Sequence, residues 1–288
     1  MTFVGCSLPE QFVNPLFEVF YGGGFALASY RDVEEAFTRV RIYLEDPAAA
    51  GEAAARLSAA LAAVGAEAVV EKGEIADEDW RFAYRRHFKT EKIGRRLVIV
   101  PAWERAPDDG RTAIVVDPGM AFGTGNHETT RACLEYIDET VAPGSGIGTF
   151  LDMGCGSGIL SIAAAKLGCP TVKGFDVDAV AVETAIENAA KNGITAEFVK
   201  FALGRGAGAP AFTGAPAAYD LVAANILGPL LVRFSREIAG FVGGGLIVSG
   251  ILRELYREVL AAYRDLGFRE VSRRTSGEWT TGMLKRPG

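Results

Sequence analysis

The sequence predicts an α/β protein whose larger part is a mostly parallel sheet, preceded by a smaller α+β unit. Short apolar segments alternate with helical patterns from Thr149 onward, and such alternation requires crossover connections between parallel strands. Two further apolar segments, Phe268–Arg273 and Trp279–Lys285, follow one another without a helix between them, which predicts an antiparallel hairpin at the edge of that sheet. Residues 1–75 carry a pattern of their own, which predicts a separate domain.

The first 75 residues predict a ferredoxin-like order of elements, β-α-β-β-α-β. Apolar alternation predicts the strands, and the longer helical patterns end or begin at glycine and proline. In order, the predicted elements are a strand at 2–7, a helix at 8–21 interrupted by Pro15, strands at 25–30 and 38–44, a helix from Asp46 to Val64 and a strand at 66–71.

A connecting helix is predicted over residues 76–90, because three acidic residues at 77–79 suit a helix start. The remaining residues, 91–288, form the predicted larger domain. It opens with strands at 97–100 and 112–116, which the turn-rich residues between them predict to be a hairpin. Basic residues at 85–96 could contact RNA, but interleaved acids and a net charge of −6 favour a solvated face. Asn126 is the predicted N-cap of a helix over 127–139.

The most informative stretch is Leu151–Leu160, in which an apolar strand at 149–153 runs through three glycines into a helix that begins at Ile159. Glycine permits positive φ and lets a ligand approach the backbone, while the helix start offers unpaired N–H groups. Gly154 and Gly156 are therefore candidate ligand-binding residues. The dinucleotide fingerprint requires a third glycine where this chain has Ile159, which counts against a nicotinamide cofactor.

A second strand at 171–175 delivers Asp176 near the distance at which a carboxylate accepts both hydroxyls of a ribose. Nicotinamide dinucleotides and S-adenosylmethionine share that geometry, so the carboxylate alone does not discriminate between them. The alternative to a ligand-binding loop is that these glycines form an ordinary turn of an α/β protein. The elements predicted after Asp176 are a helix at 179–192, a strand at 196–201, a Gly/Ala/Pro-rich insertion, strands at 219–224 and 245–249, and a helix at 252–266.

Composition narrows the class of protein further. Apolar residues make up 49% of the chain, which suffices for a packed core. The four cysteines show no C-x-x-C spacing, so we expect neither a metal site nor a disulfide framework. No apolar run reaches the length of a membrane span and no signal peptide is evident, so a cytoplasmic protein without a membrane partner is expected.

Four longer motifs resemble one family closely. They are DPGMAFGTGNHETT at 117–130, LDMGCGSGIL at 151–160, GFDVDAVAVETAIENAAKNG at 174–193 and DLVAANIL at 220–227. With them the chain resembles the bacterial ribosomal protein L11 methyltransferases. The resemblance implies a Rossmann-like class I methyltransferase domain with a seven-stranded mixed sheet, and S-adenosyl-L-methionine as cofactor. It also implies cofactor contacts by Thr130, Gly154, Asp176 and Asn225, and a ribosomal protein of the large subunit as the substrate, trimethylated on lysine or N-terminal amino groups.

Asn225 and His127 are the predicted catalytic residues. Methyl transfer from a sulfonium is an in-line displacement that requires positioning and a deprotonated amine, so no dedicated base is obligatory. Asn225 follows strand 219–224 at the end where ligands bind, and its carbonyl can accept an amine N–H; a strand-end cap is the alternative. His127 is either a general base or a brace for its loop, and the sequence leaves both open.

Other classes of function stay open at the level of sequence. They are an oxidoreductase using a nicotinamide cofactor, an RNA methyltransferase, a non-enzymatic cofactor-binding regulator, and a methyltransferase of another lysine-bearing protein such as electron-transfer flavoprotein. Within the favoured interpretation we expect a monomer that needs no nucleic acid, with residues 1–75 recognising the substrate.

Overall fold

A computed structural model describes residues 2–20, 25, 27–30, 37–44, 46–74, 89–117, 127–204 and 217–286. It divides the chain into two compact units, Met1–His87 and Phe88–Gly288. Nearly all of the predicted connecting helix at 76–90 lies outside the described residues, as does the segment 118–126. The side chain of Asn126, the predicted N-cap, lies outside the described residues.

The first unit has the predicted β-α-β-β-α-β order. Its strands form one antiparallel sheet in the order β2-β3-β1-β4, with β1 between β3 and β4. Apolar residues at alternate strand positions, such as Val4 and Ile42, are fully buried in a core that Leu16 and Leu57 of the two helices complete. The elements are β1 (Thr2–Leu8), α1 (Val13–Phe20), β2 (Ala28–Tyr30), β3 (Thr38–Leu44), α2 (Ala50–Ala63) and β4 (Glu71–Glu74).

Two boundaries in this unit differ from the predictions. Helix α1 starts at Val13 and not at residue 8, which places Pro15 in its first turn, where a proline removes no helical hydrogen bond; the predicted interruption is therefore wrong. The last strand spans 71–74 and not 66–71. Pairing is set there by the partner strand, because Gly73 lies opposite Phe3 and leaves room for its ring: a Cβ at Gly73 would sit 2.5 Å from Phe3 Cε1.

The second unit contains a seven-stranded mixed sheet in the order β10-β9-β8-β11-β12-β14-β13. The first five strands of that order are parallel, and β14 pairs antiparallel with both β12 and β13, so the predicted terminal hairpin is confirmed. The strands of this sheet are β8 (Thr149–Met153), β9 (Thr171–Asp176), β10 (Glu197–Lys200), β11 (Tyr219–Asn225), β12 (Val242–Leu252), β13 (Arg269–Ser276) and β14 (Trp279–Lys285). The helices are α3 (Glu128–Thr140), α4 (Ile159–Lys166), α5 (Ala179–Lys191), α6 (Gly228–Arg233), α7 (Ser235–Gly240) and α8 (Tyr256–Arg264).

A separate three-stranded sheet opens this unit, and here the predicted hairpin is wrong. Strands β6 (Leu97–Pro101) and β7 (Thr112–Val116) pair in parallel, while β6 forms its hairpin with β5 (Glu91–Ile93). The chain after β6 returns to the start of that strand, because Thr112 N donates to Arg96 O and the Arg111 guanidinium donates to the carbonyls of Gly94 and Leu97, both at 3.0 Å. These contacts start β7 beside the first residue of β6.

The remaining differences lie around β12. The predicted elements include no helix between residues 225 and 245, where the structure has α6 and α7. Strand β12 continues past the predicted end at 249, because Gly250 adopts φ of 75° at an irregularity between Val248 and Ile251 that lets the pairing with β14 resume. Helix α8 consequently begins at Tyr256 rather than Leu252.

All four cysteines are buried free thiols. Burial raises the pKa of Cys6 to about 11 and that of Cys133 to about 12, and it also raises the pKa values of Cys155 and Cys169. In the part of the chain that the structure describes, no helix has the length and apolar character needed to cross a bilayer.

Candidate functional site

The loop between β8 and α4 has the shape of a backbone cradle. Gly154, Gly156 and Gly158 all adopt positive φ, at 72°, 50° and 78°. A Cβ on Gly154 would lie 2.7 Å from Ile226 Cγ2, and one on Gly158 would lie 2.9 Å from Ala185 Cβ, so larger residues are excluded by contact as well as by conformation. At these three glycines the loop consists of main chain without side chains, just beyond the last residue of β8.

Asp176, the last residue of β9, is tied directly to this loop. Its Oδ2 accepts from Gly156 N at 2.9 Å, and its Oδ1 accepts from Asp178 N at 3.0 Å. Burial raises the pKa of the carboxyl group, while the backbone N–H donors oppose that shift. Each carboxylate oxygen has a second acceptor position, so both can still receive hydroxyl groups of a ligand.

Asn225 and Thr130 meet across the end of β11. Asn225 Nδ2 donates to Thr130 Oγ1 at 3.4 Å, and Asn225 Oδ1 is buried with no partner among the described residues. Leaving a buried acceptor unpaired costs about 1–3 kcal/mol. Such an atom marks a position where a ligand can supply the missing donor.

His127 is the N-cap of α3, one residue after the predicted cap Asn126. Its Nδ1 accepts from Thr129 N at 3.3 Å and lies 2.7 Å from Thr129 Oγ1. The imidazole packs edge-on against Trp279, with ring centroids 5.1 Å apart. Burial lowers the pKa of His127, with Glu128 opposing, which favours the neutral form of the ring. One nitrogen is thus engaged in holding the first turn of α3.

Sequence reasoning missed three groups around the site. Trp279 contacts His127, as described above. Asp152 is fully buried beneath the glycine loop, where its Oδ2 accepts from Ser161 N and Ser161 Oγ at 3.2 and 2.8 Å, and burial raises its pKa to about 7. Ser249 Oγ donates to Thr129 O at 3.3 Å and lies 2.6 Å from Thr281 Oγ1. Of these groups only Asp152 has a signal in the sequence, since it is a lone acid inside the apolar strand 149–153. The contacts of Trp279 and Ser249 join residues that are distant in sequence.

The site is suited to S-adenosylmethionine. The glycine cradle accepts a ligand against the backbone, and Asp176 presents acceptors for a ribose. Asn225 Oδ1, at the end of β11, is an acceptor that no residue in the described part of the chain satisfies. With this loop on a sheet ordered β10-β9-β8-β11-β12-β14-β13, the second unit is a class I S-adenosylmethionine-dependent methyltransferase domain.

Comparison with known proteins gives the family. A profile described as ribosomal protein L11 methyltransferase (PrmA) matches residues 25–287. A protein of Desulfosudis oleivorans named ribosomal protein L11 methyltransferase is 43% identical over 213 residues, covering 73% of this chain and 68% of that protein. One of Geobacter sulfurreducens with the same name is 43% identical over 217 residues, covering 74% and 68%.

A solved structure agrees with these relatives. The crystal structure of ribosomal protein L11 methylase from Lactobacillus delbrueckii subsp. bulgaricus superposes with a TM-score of 0.61 at 30% identity, covering 70% of this chain and 100% of that one. The chain belongs to the ribosomal protein L11 methyltransferase family, as its motifs predicted, and it is an S-adenosylmethionine-dependent methyltransferase.

Proposed function

We propose that this enzyme transfers methyl groups from S-adenosylmethionine to amino groups of ribosomal protein L11, on lysine side chains or the N-terminus, up to the trimethylated state. The names of the relatives support this substrate. The structural observation that carries the proposal is the buried Oδ1 of Asn225, which has no partner among the described residues and can accept a hydrogen bond from an amine N–H.

In this proposal Asn225 is the residue that orients the nucleophile. When bound, the cofactor supplies a methyl group activated on a sulfonium. For the unmethylated and the monomethylated amine, Asn225 Oδ1 would accept an N–H of the neutral amine and orient its nitrogen lone pair toward the methyl group that the cofactor would supply. The dimethylated amine has no N–H, so this contact would not orient the third transfer. Thr130, Gly154, Gly156 and Asp176 hold the cofactor, and Thr130 Oγ1 also fixes the Asn225 amide through the 3.4 Å contact.

His127 acts here as a brace for the first turn of α3. The engagement of Nδ1 with Thr129 and the lowered pKa support a neutral capping residue over a general base. The lysine ammonium has an ordinary pKa of about 10.4. Burial in the site disfavours its charged form, so the ammonium loses its proton to solvent and enters the site as the neutral amine.

Residues 1–75 recognise the protein substrate in this scheme, through a domain with its own core, joined by the segment 76–90 to the catalytic domain at 91–288. We propose that the enzyme works as a monomer in the cytoplasm, where ribosomal proteins are made, without a nucleic-acid partner. The net charge of −6 supports a basic protein substrate over RNA.

The test is transfer from cofactor labelled in its methyl group. Purified enzyme is incubated with ribosomal protein L11, electron-transfer flavoprotein and ribosomal RNA separately, and each product is analysed by mass spectrometry. We expect L11 alone to gain mass in steps of one labelled methyl group, up to three per modified amino group. L11 isolated from a strain lacking the gene should carry no methyl groups at those positions. Label on RNA, or on the flavoprotein alone, would show that the substrate is another one.

A further inference from the structure

Two asparagine side chains, one from Asn188 within α5 and one from its C-cap Asn192, pair with the free edge of β7 and with the residue that follows this strand. Asn192 Oδ1 accepts from Val115 N at 2.9 Å, and Asn192 Nδ2 donates to Val115 O at 2.6 Å. Asn188 repeats the arrangement on Asp117, with Oδ1 accepting from Asp117 N at 3.0 Å and Nδ2 donating to Asp117 O at 3.1 Å. Each side-chain amide thus takes the place of a peptide group in a neighbouring strand.

The spacing of the two elements permits this double pairing. Four residues along a helix advance about 6 Å, and two residues along a strand advance about 6.6 Å. Val115 and Asp117 are two residues apart and therefore present their N–H and C=O groups to the same side of the strand. Since β7 ends the three-stranded sheet β5-β6-β7, the two amides satisfy an edge that the sheet leaves open.

The two asparagines differ in one contact. Asn188 Nδ2 also donates to Ser157 O at 3.0 Å, and Asn188 and Ser157 are both fully buried. Ser157 lies between Gly156 and Gly158 of the cofactor loop. Asn192 Nδ2 instead donates within its own helix, to Asn188 O at 2.8 Å. Asn188 therefore connects the end of β7 to the glycine loop, and Asn192 does not.

We propose that Asn188 is a positioning residue for S-adenosylmethionine, which holds the glycine loop in its binding shape by fixing the Ser157 carbonyl. The loop has glycines on both sides of Ser157, and glycine populates many backbone conformations in the absence of such a restraint. When only a fraction of the molecules has the competent loop, the apparent affinity falls by that fraction. The proposal rests on the cofactor site and is independent of which protein is methylated.

The test compares Asn188→Ala with Asn192→Ala, which removes the same type of clamp from the same strand. Calorimetric titration with S-adenosylmethionine measures the Kd of each variant, and thermal unfolding measures its stability. Each variant loses two hydrogen bonds to the backbone of residues 115–117, so we expect similar decreases in Tm. Only Asn188→Ala should raise the Kd, by about tenfold if the competent loop falls to about one tenth of the population.

A second readout uses the free enzyme and no turnover. Hydrogen exchange of the backbone amides of Gly156, Ser157 and Gly158 should accelerate in Asn188→Ala and stay at the wild-type rate in Asn192→Ala. If Asn188→Ala does not fold, Asn188→Asp takes its place, because it keeps the acceptor for Asp117 N and removes the amide donors. Equal Kd values for the two alanine variants, with unchanged loop exchange, would reduce Asn188 to a structural clamp and overturn the proposal.

Discussion

At the scale of single residues, the site depends on side chains whose polar atoms are already partly committed. Asp176 uses one acceptor position of each oxygen on backbone N–H groups, and Asn225 uses its amide nitrogen on Thr130. These contacts fix the side chains before a ligand arrives, so little conformational entropy remains to be lost on binding.

Replacing Asp176 by alanine should weaken cofactor binding. The variant loses a charged acceptor for ribose hydroxyls, and a hydrogen bond to a charged group is worth about 1.5–3 kcal/mol, or roughly ten- to hundredfold in Kd. Isothermal titration calorimetry measures the change. Asp178→Ala is the matched control, because Asp178 accepts from Val180 N as the cap of α5 and should affect stability alone. An unchanged Kd for Asp176→Ala would remove the ribose assignment.

Asn225→Ala should affect turnover more than cofactor affinity. Losing the acceptor for the amine removes an interaction that orients the reacting nitrogen, so kcat should fall at least about tenfold while the cofactor Kd changes less. Steady-state kinetics and titration separate the two. Tyr263→Phe serves as control, because it removes a buried hydroxyl that donates to Leu231 O at 3.2 Å outside the site. Full turnover by Asn225→Ala would leave Asn225 as a strand-end cap.

At the scale of elements, the buried Asp152 connects β8 to α4, because its carboxylate accepts hydrogen bonds from Ser161 of that helix. Its folded-state pKa of about 7 lies above the ordinary value of 3.8, so the folded protein holds this proton more tightly than the unfolded chain does. The resulting stabilisation is fully present below about pH 4 and is lost as the pH rises toward 7.

Asp152→Asn, which cannot ionise, should therefore gain stability relative to the wild type as the pH rises from 4 to 7. The difference in Tm between the two proteins, measured across that range, gives the result. Asp220→Asn is the comparison variant, because it changes a carboxylate at the other end of β8. Asp220 Oδ2 accepts from Gly148 N and Thr149 N, both at 2.9 Å. A Tm difference independent of pH would contradict the titration of Asp152.

Elements whose pattern is local could be predicted from the sequence. Strands β8 and β14 match their predicted bounds because their residues are buried almost continuously, and the cofactor loop follows from its glycines. Pairing between distant segments could not be predicted in the same way. The direction of β7 depends on contacts of Arg111 with Gly94 and Leu97, and the asparagine clamps depend on a helix more than 70 residues further along the chain.

At the scale of the whole molecule, the two units have separate hydrophobic cores. A protein truncated to begin at Phe88 should consequently fold and bind S-adenosylmethionine with about the wild-type Kd, because every described site residue lies after Asp117. It should fail to methylate intact ribosomal protein L11. Circular dichroism, calorimetry and the mass-spectrometric assay measure the three properties.

The truncated protein tests whether residues 1–75 recognise the substrate. Retained methylation of a short lysine peptide, with loss on intact L11, would locate substrate recognition in the first unit and leave the chemistry in the second. Methylation of intact L11 at the full rate would show that residues 1–75 are dispensable for recognition.

Because all four thiols are buried, their reaction with an alkylating reagent measures how often each unit of the protein opens. Alkylation requires an exposed thiolate, whereas in the folded state burial keeps these sulfurs inaccessible and raised pKa values keep them protonated. Cys6 belongs to the first unit, and Cys133, Cys155 and Cys169 belong to the second. The rate at which iodoacetamide labels each sulfur, measured from peptide masses, therefore gives the opening rate of each unit separately. A cysteine introduced at the surface would be the one thiol that reacts with a dye while the protein is folded.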